Sequence, residues 1–427
     1  MTTWQNWAGN VTAHPAVVGR PASTDEVIAF VREHPQVKAV GAGHSFTPVA
    51  ATDGALLRLD AMNRILHADT TTGLVRVQAG ISLHDLNRRL DALGLALPNL
   101  GDVDPQSVAG ATSTGTHGTG ARLFGIARAV AALQLVTAEG EVLEIDRGHD
   151  MFDAARVGLG ALGIVTEVTL QCVPAFLLHA REEPMALPEV LTDLDQLVDG
   201  NDHFEFYFFP HTDRALTKRN NRVPEGTPRA PLPRWRHTLD DEFLSNTVYE
   251  RIQRIASRRP ALIPRINAVS GSVLGAREYT DTSHEVFISP RRVRFRESEF
   301  ALPRAAAAEA IAEMRRWYAR SGEHVSFPVE VRFTAADDIW LSTGHGRDNV
   351  YIAVHQYHRT DPTSYFAAMQ DIFIAHEGRP HWGKMHTLGS DHFRKVYPRF
   401  DDFLGVRDRL DPGRKFTNDY LRQVLGS

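Results

Sequence analysis

From residue 15 to about residue 172 the chain alternates short apolar runs with amphipathic stretches, a pattern of strands interleaved with helices. Ser23 or Thr24 can cap a helix over 25–33, and the mostly apolar run 37–40 reads as the strand after it. Runs at 55–59 and 74–78 predict further strands, and Ser82 opens an amphipathic helix that continues to Leu93 and stops at Gly94. Runs 130–137 and 141–145, joined by Ala138-Glu139-Gly140, predict a hairpin. From 173 to about 385 the pattern changes. Phe204, Phe206 and Phe208 alternate with polar residues in a strand over 203–209, and 286–288 and 293–295 predict short strands. A helix rich in alanine is predicted over 305–320, with long alternating strands at 325–333 and 349–357. Residues 221–237, rich in proline and arginine, predict a surface loop, and the chain returns to short helices after Trp382. The expected class is α+β, with a first part over 1–172, a large antiparallel sheet covered on one face by helices over 173–385, and a return to the first part over 386–427.

Composition narrows the partners. The 427 residues are 43% apolar and 23% charged with a formal net charge of −5, which gives no electrostatic reason to expect nucleic acid or an anionic membrane. The single cysteine, Cys172, excludes an intramolecular disulfide, and its apolar neighbours predict a buried, inert thiol. No apolar run approaches the roughly 20 residues of a spanning helix. The first residues lack a charged segment followed by an apolar one, so a cytoplasmic location is expected.

Candidate chemistry begins at Gly41-Ala42-Gly43-His44-Ser45-Phe46, a glycine turn directly after the strand at 37–40. Glycines there let backbone N–H groups approach a pyrophosphate, and the histidine either reacts with what the turn cradles or caps backbone groups. A second such turn follows at Thr114-Gly115-Thr116-His117-Gly118-Thr119-Gly120. The first part therefore reads as a nucleotide-binding domain. Gly158-Leu159-Gly160-Ala161-Leu162-Gly163 matches the dinucleotide fingerprint in spacing, but a helix precedes it and a strand follows. The fingerprint needs the reverse order, so a Rossmann site is excluded. On the strand at 325–333, Glu330 and Arg332 share one face with Cα atoms roughly 6.5–7 Å apart. They form either a solvated ion pair or a grip on a polar ligand. Tyr351, Ala353, His355 and Tyr357 likewise share a face that is either solvated or reads hydroxyls. In His381-Trp382-Gly383-Lys384-Met385-His386 the spacing fits no metal site; Lys384 is either partly buried with a lowered pKa, serving as a base or hydrogen-bond donor, or a snorkelling lysine at an aromatic packing corner. No metal is expected.

In this order the segments resemble the sugar-1,4-lactone oxidases of the vanillyl-alcohol-oxidase type, similar to L-gulonolactone and D-arabinonolactone oxidases. The resemblance covers nearly the whole chain and implies a two-lobed FAD-binding domain with a cap domain. It implies FAD attached covalently through His44, with Gly41, Ala42, Gly43, Ser45, Gly101, Asp102, Ser107, Gly110, Thr114, Gly115, Thr116, His117 and Val165 around the cofactor. Lys384, Glu330, Arg332 and His355 would form the catalytic face, with Lys384 taking the hydroxyl proton. The implied reaction is oxidation of the C2 hydroxyl of an aldonolactone to an ascorbate-type product. The implied alternatives are an alditol oxidase, or a dehydrogenase with another electron acceptor. Asp102 and His355 stand where alditol oxidases carry serine and threonine, which favours a lactone. Gly101 stands where the plant dehydrogenase carries an oxygen-shielding alanine, which favours O2 as acceptor and hydrogen peroxide as product.

Overall fold

A computed structural model describes residues 2–233, 248–273, 275–289 and 291–427. Helix Thr24–Glu33, capped by the Ser23 hydroxyl, packs Val27 and Val31 onto a parallel sheet of strands Val17–Gly19, Ala55–Arg58 and Val37–Val40. Beside it stands a five-stranded antiparallel sheet in the order Val142–Asp146, Val130–Val136, Ile164–Gln171, Leu74–Gln78, Ile65–Asp69. Helix Leu83–Ala92 begins at the Ser82 cap as expected and buries Leu83, Leu86 and Leu90 in the same core. The short helix Phe152–Ala155 precedes the glycines at 158–163 and strand Ile164–Gln171 follows, so the order that excludes a Rossmann site holds.

The second half is built on eight antiparallel strands. Their order is Arg277–Thr282, Leu177–Ala186, Arg214–Arg222, His203–Phe208, Val329–Thr334, Asn349–Tyr357, Phe295–Pro303, Arg379–Pro380. The period of two sorts each strand onto two faces. Phe204, Phe206, Phe208, Val329, Val331, Phe333, Val350, Ile352 and Val354 pack with Ile311, Met314, Met369 and Phe373 of helices Ala307–Arg320 and Thr363–Ala375. The opposite face carries Glu205, Tyr207, Glu297, Glu299, Glu330, Arg332, Tyr351 and His355, all buried. A solvated face, the other reading of these strands, is thereby excluded.

Four expectations change. Residues 286–288 end a helix, Ser283–Phe287, because a three-residue apolar run is too short to fix its own conformation. The strand expected at 293–295 runs instead from Phe295 to Pro303. Residues 221 and 222 close strand Arg214–Arg222, and 234–237 of the predicted loop lie outside the described residues. Strand Val329–Thr334 begins four residues later than expected, after Pro328. Cys172 is buried and free, its thiol pushed up to about 12 by that burial. Among the described residues no helix is long and apolar enough to cross a membrane.

Candidate active site

The first glycine turn leaves the parallel strand Val37–Val40, with Gly43 at φ +71°. A Cβ on Gly41 would stand 2.2 Å from Ser107 Oγ, the hydroxyl that caps helix Val108–Ser113 by accepting the Gly110 N–H. Gly41, Ala42, Gly43, His44, Ser45, Ser107, Gly110, Thr114 and Val165 wall a narrow slot of about 110 Å³. Lys38 and Gly160 also line it, and the buried Lys38 ammonium donates to the carbonyls of Gly160 at 3.1 Å and Phe416 at 3.0 Å. Burial outweighs the nearby Asp411 charge and lowers Lys38 to about 7. A second cavity, of about 620 Å³, is lined by His44, Ser45, Gly101, Asp102, Thr114, Thr116, His117, Arg332 and Lys384, among others. His44, Ser45, Gln106 and Thr114 belong to both spaces, which meet at the histidine turn. Gly115 lines neither and gives the second turn its left-handed φ of +78°. Glu330 and His355 stand behind the lining.

Strand register builds the polar wall. Tyr207 lies opposite Glu330 and Glu205 opposite Arg332, and the Tyr207 hydroxyl donates to Glu330 Oε1 at 2.8 Å. Arg332 Nε donates to Glu205 Oε2 at 2.8 Å, and its other end touches Glu330 and lies 3.2 Å from Asp102 Oδ1. Arg291, which the sequence did not single out, donates through Nε to Asp102 Oδ2 at 2.7 Å and lies 3.6 Å from Glu330. Burial would raise the Asp102 carboxyl, but Arg291 and Arg332 hold it well below the usual range. Glu330 goes the other way: burial and the Asp102 charge outweigh Arg332 and raise it to about 7.

The second charge cluster corrects an expectation. Lys384 Nζ lies 2.6 Å from Glu297 and 3.9 Å from Glu299. Burial alone would lower its pKa, but the two carboxylates reverse the sign and raise it. The lowered pKa expected of Lys384 is thereby reversed, and the two carboxylates favour its ammonium form. Glu299 accepts from His117 Nε2 at 3.2 Å, while His117 Nδ1 faces the Gly118 carbonyl at 2.9 Å and the ring stacks on Tyr351. Against its burial, the charges of His117 and Lys384 hold Glu299 well below the usual range. His117, Glu299 and His381 place ligand-type atoms within 4.8 Å of one another, a trio the linear spacing did not reveal. The Lys384 ammonium beside the same carboxylate already supplies its positive charge. His355 Nδ1 faces the Pro328 carbonyl at 3.2 Å, so Nε2 carries the lone pair, 3.6 Å from Glu297. Burial keeps it neutral, lowered to about 4.

His44 is neutral for a similar reason: burial, then the Lys384 charge, lower it to about 4. The space beside Gly101 is tighter than the oxygen argument assumes, since a Cβ there would press on the His117 carbonyl at 3.0 Å.

A narrow slot walled by a glycine turn, sharing His44 with a larger chamber that charged side chains line, suits an elongated cofactor with a phosphate-bearing arm and a flat reactive head. That arrangement defines a flavin-linked oxidoreductase of two-part architecture. Residues 15–146 match the family model of an FAD binding domain, and residues 168–424 match that of D-arabinono-1,4-lactone oxidase. The chain belongs to the D-arabinono-1,4-lactone oxidase family. It is 44% identical over 427 residues to the L-gulono-1,4-lactone dehydrogenase of Mycobacterium tuberculosis, covering 99% of each chain. It is 36% identical over 435 residues to the L-gulonolactone oxidase of Bos taurus, covering 99% of this chain and 98% of that one. Its fold matches the solved cholesterol oxidase of Brevibacterium sterolicum with a TM-score of 0.83 at 17% identity, over 99% of this chain and 96% of that one.

Proposed function

We propose that this protein oxidises the C2 hydroxyl of an aldono-1,4-lactone such as L-gulono-1,4-lactone to the ascorbate-type product. The observation that carries the reading is the junction of the two cavities at His44, which sets a cofactor slot against a buried polar wall of matched charges. FAD, held by the slot residues and His44, would supply a two-electron acceptor for the substrate C–H, and with O2 as the final acceptor hydrogen peroxide would be the second product. His44 is the covalent anchor in this reading, supported by its neutral imidazole at the meeting point. Residues 1–172 and 386–427 then form the cofactor part and 173–385 the cap.

The chain's own side chains orient the sugar ring and move its proton. Lys384 and Arg332 face the cavity as cations and stabilise negative charge developing on the substrate oxygen. Glu330 and Glu205 fix the Arg332 fork from behind. Lys384 is spoken for as a cation, so the hydroxyl proton goes to Glu297, which lines the cavity beside it. The neutral His355 at 3.6 Å can share that proton.

Purified protein given L-gulono-1,4-lactone in air should consume O2 and release equimolar peroxide, with much lower kcat/KM on xylitol. Xylitol preference would move the assignment to an alditol oxidase, and lactone turnover only with a dye acceptor would make the protein a dehydrogenase. Acid precipitation should leave yellow colour in the pellet, and His44→Ala should release it.

A further inference from the structure

Residues 4–13 precede both matched regions, yet three of their side-chain and backbone donors bond the histidine turn. Strands Trp4–Gln5 and Thr12–Ala13 pair as a small hairpin. Its polar groups are directed at the turn: Trp7 N–H donates to the Gly43 carbonyl at 2.9 Å, Asn6 Nδ2 to the Ser45 carbonyl at 2.9 Å, and Asn10 Nδ2 to the Phe46 carbonyl at 2.9 Å. Asn6 is itself fixed, accepting from Val11 N–H and donating to Asn10. The backbone is thus pinned on both sides of His44. Trp7 also stacks on the imidazole, with ring centroids 5.7 Å apart and planes 23° apart. The indole is braced edge-on by Phe295 at 5.3 Å and Phe46 at 6.3 Å. Trp4 lines the slot and Trp7 the larger cavity, one tryptophan on each side of the junction.

We propose that this hairpin is part of the cofactor site and that Trp7 is a positioning residue, holding the His44 ring in the orientation from which it bonds to FAD. The inference rests on His44 being the attachment point. In that step an imidazole nitrogen forms a bond to the ring-methyl carbon of FAD, and a methyl C–H bond breaks. The methyl proton and the imidazole N–H proton leave to solvent, which later returns two protons to peroxide, and the C–H electron pair enters the flavin, reducing it by two electrons. Molecular oxygen then takes those electrons and becomes hydrogen peroxide. Bond formation of this kind depends steeply on approach geometry, and a misplacement of about 1 Å costs about a hundredfold in rate. A side chain without a flat face in place of Trp7 frees the imidazole to rotate about χ1 away from the junction.

The test compares wild type, His44→Ala, Trp7→Ala and Trp7→Phe, each purified and incubated with FAD in air. Total bound flavin is read by absorbance before acid precipitation, and linked flavin by fluorescence of the polypeptide on a denaturing gel. Trp7→Ala should bind flavin at near wild-type stoichiometry but link it about a hundredfold more slowly. Trp7→Phe should restore most of the rate, a rescue that general loss of packing would not produce. Linkage in Trp7→Ala at the wild-type rate, with His44→Ala unlinked, overturns the role of Trp7 alone, as does a Trp7→Phe variant no better than Trp7→Ala. Wild type that releases all its flavin, or His44→Ala that retains it, overturns the attachment and this inference together. If Trp7→Ala does not fold, Asn10→Ala removes one backbone tie without touching either ring and should also slow linkage; an unchanged rate there overturns the clamp.

Discussion

At the scale of single residues, burial alone does not decide charge. Lys384 is half-buried and Glu330 buried; paired carboxylates keep Lys384 cationic against desolvation, whereas burial, joined by the Asp102 charge, raises Glu330 to about 7. Glu297→Gln removes the proposed proton acceptor while keeping shape, and kcat should fall by about 10² to 10⁴ with flavin content unchanged. Lys384→Met should cost about 10² to 10³ in kcat by removing charge stabilisation. Glu330 accepts from Tyr207 and Arg332 and works ionised, so kcat/KM should rise with pH through a limb near 7. In Glu330→Gln that limb should vanish from the pH profile; its persistence would assign the titration to another group.

At the scale of elements, the strands were legible where alternation survives and hidden where chemistry interrupts it. Strand Asn349–Tyr357 matches its predicted bounds because Val350, Ile352 and Val354 mark the helix-covered face at every second residue. Strand Phe295–Pro303 was cut short because Glu297, Ser298 and Glu299 break the apolar run at the residues that serve the site. The signal lay in Glu-x-Glu directly before Phe300-Ala301-Leu302, two acids on the face opposite Phe300 and Leu302. Arg291 left no such mark, since only the folded chain brings it to Asp102. The glycine turn was readable because its steric need is local. Gly41→Ala drives a methyl into the Ser107 cap, whose loss alone costs about 1 kcal/mol, and should lower both the melting temperature and the affinity for FAD. In a Ser107→Ala background the same change should cost much less, and additive losses would contradict the clash.

At the scale of the whole molecule, five buried or half-buried imidazoles among the described residues set the acid limit. Burial lowers His44, His203, His355, His381 and His386 to between about 3 and about 4, against 6.5 when free. Unfolded chains bind these protons and the native state refuses them, so their stabilising contribution is complete above pH 6.5 and is lost as pH falls towards 4. Glu330, shifted upward, opposes them weakly over about pH 7 to 4.5. Thermal scans should therefore show the melting temperature dropping steeply between pH 6.5 and 4, and a flat profile there would mean the imidazoles are hydrated. The Lys38 ammonium sets a different kind of limit, because it ties the slot-lining Gly160 to Phe416, 378 residues beyond itself. That wall of the slot is complete only once residues 38, 160 and 416 have met, so a substitution at Phe416, which does not itself line the slot, should loosen it from behind.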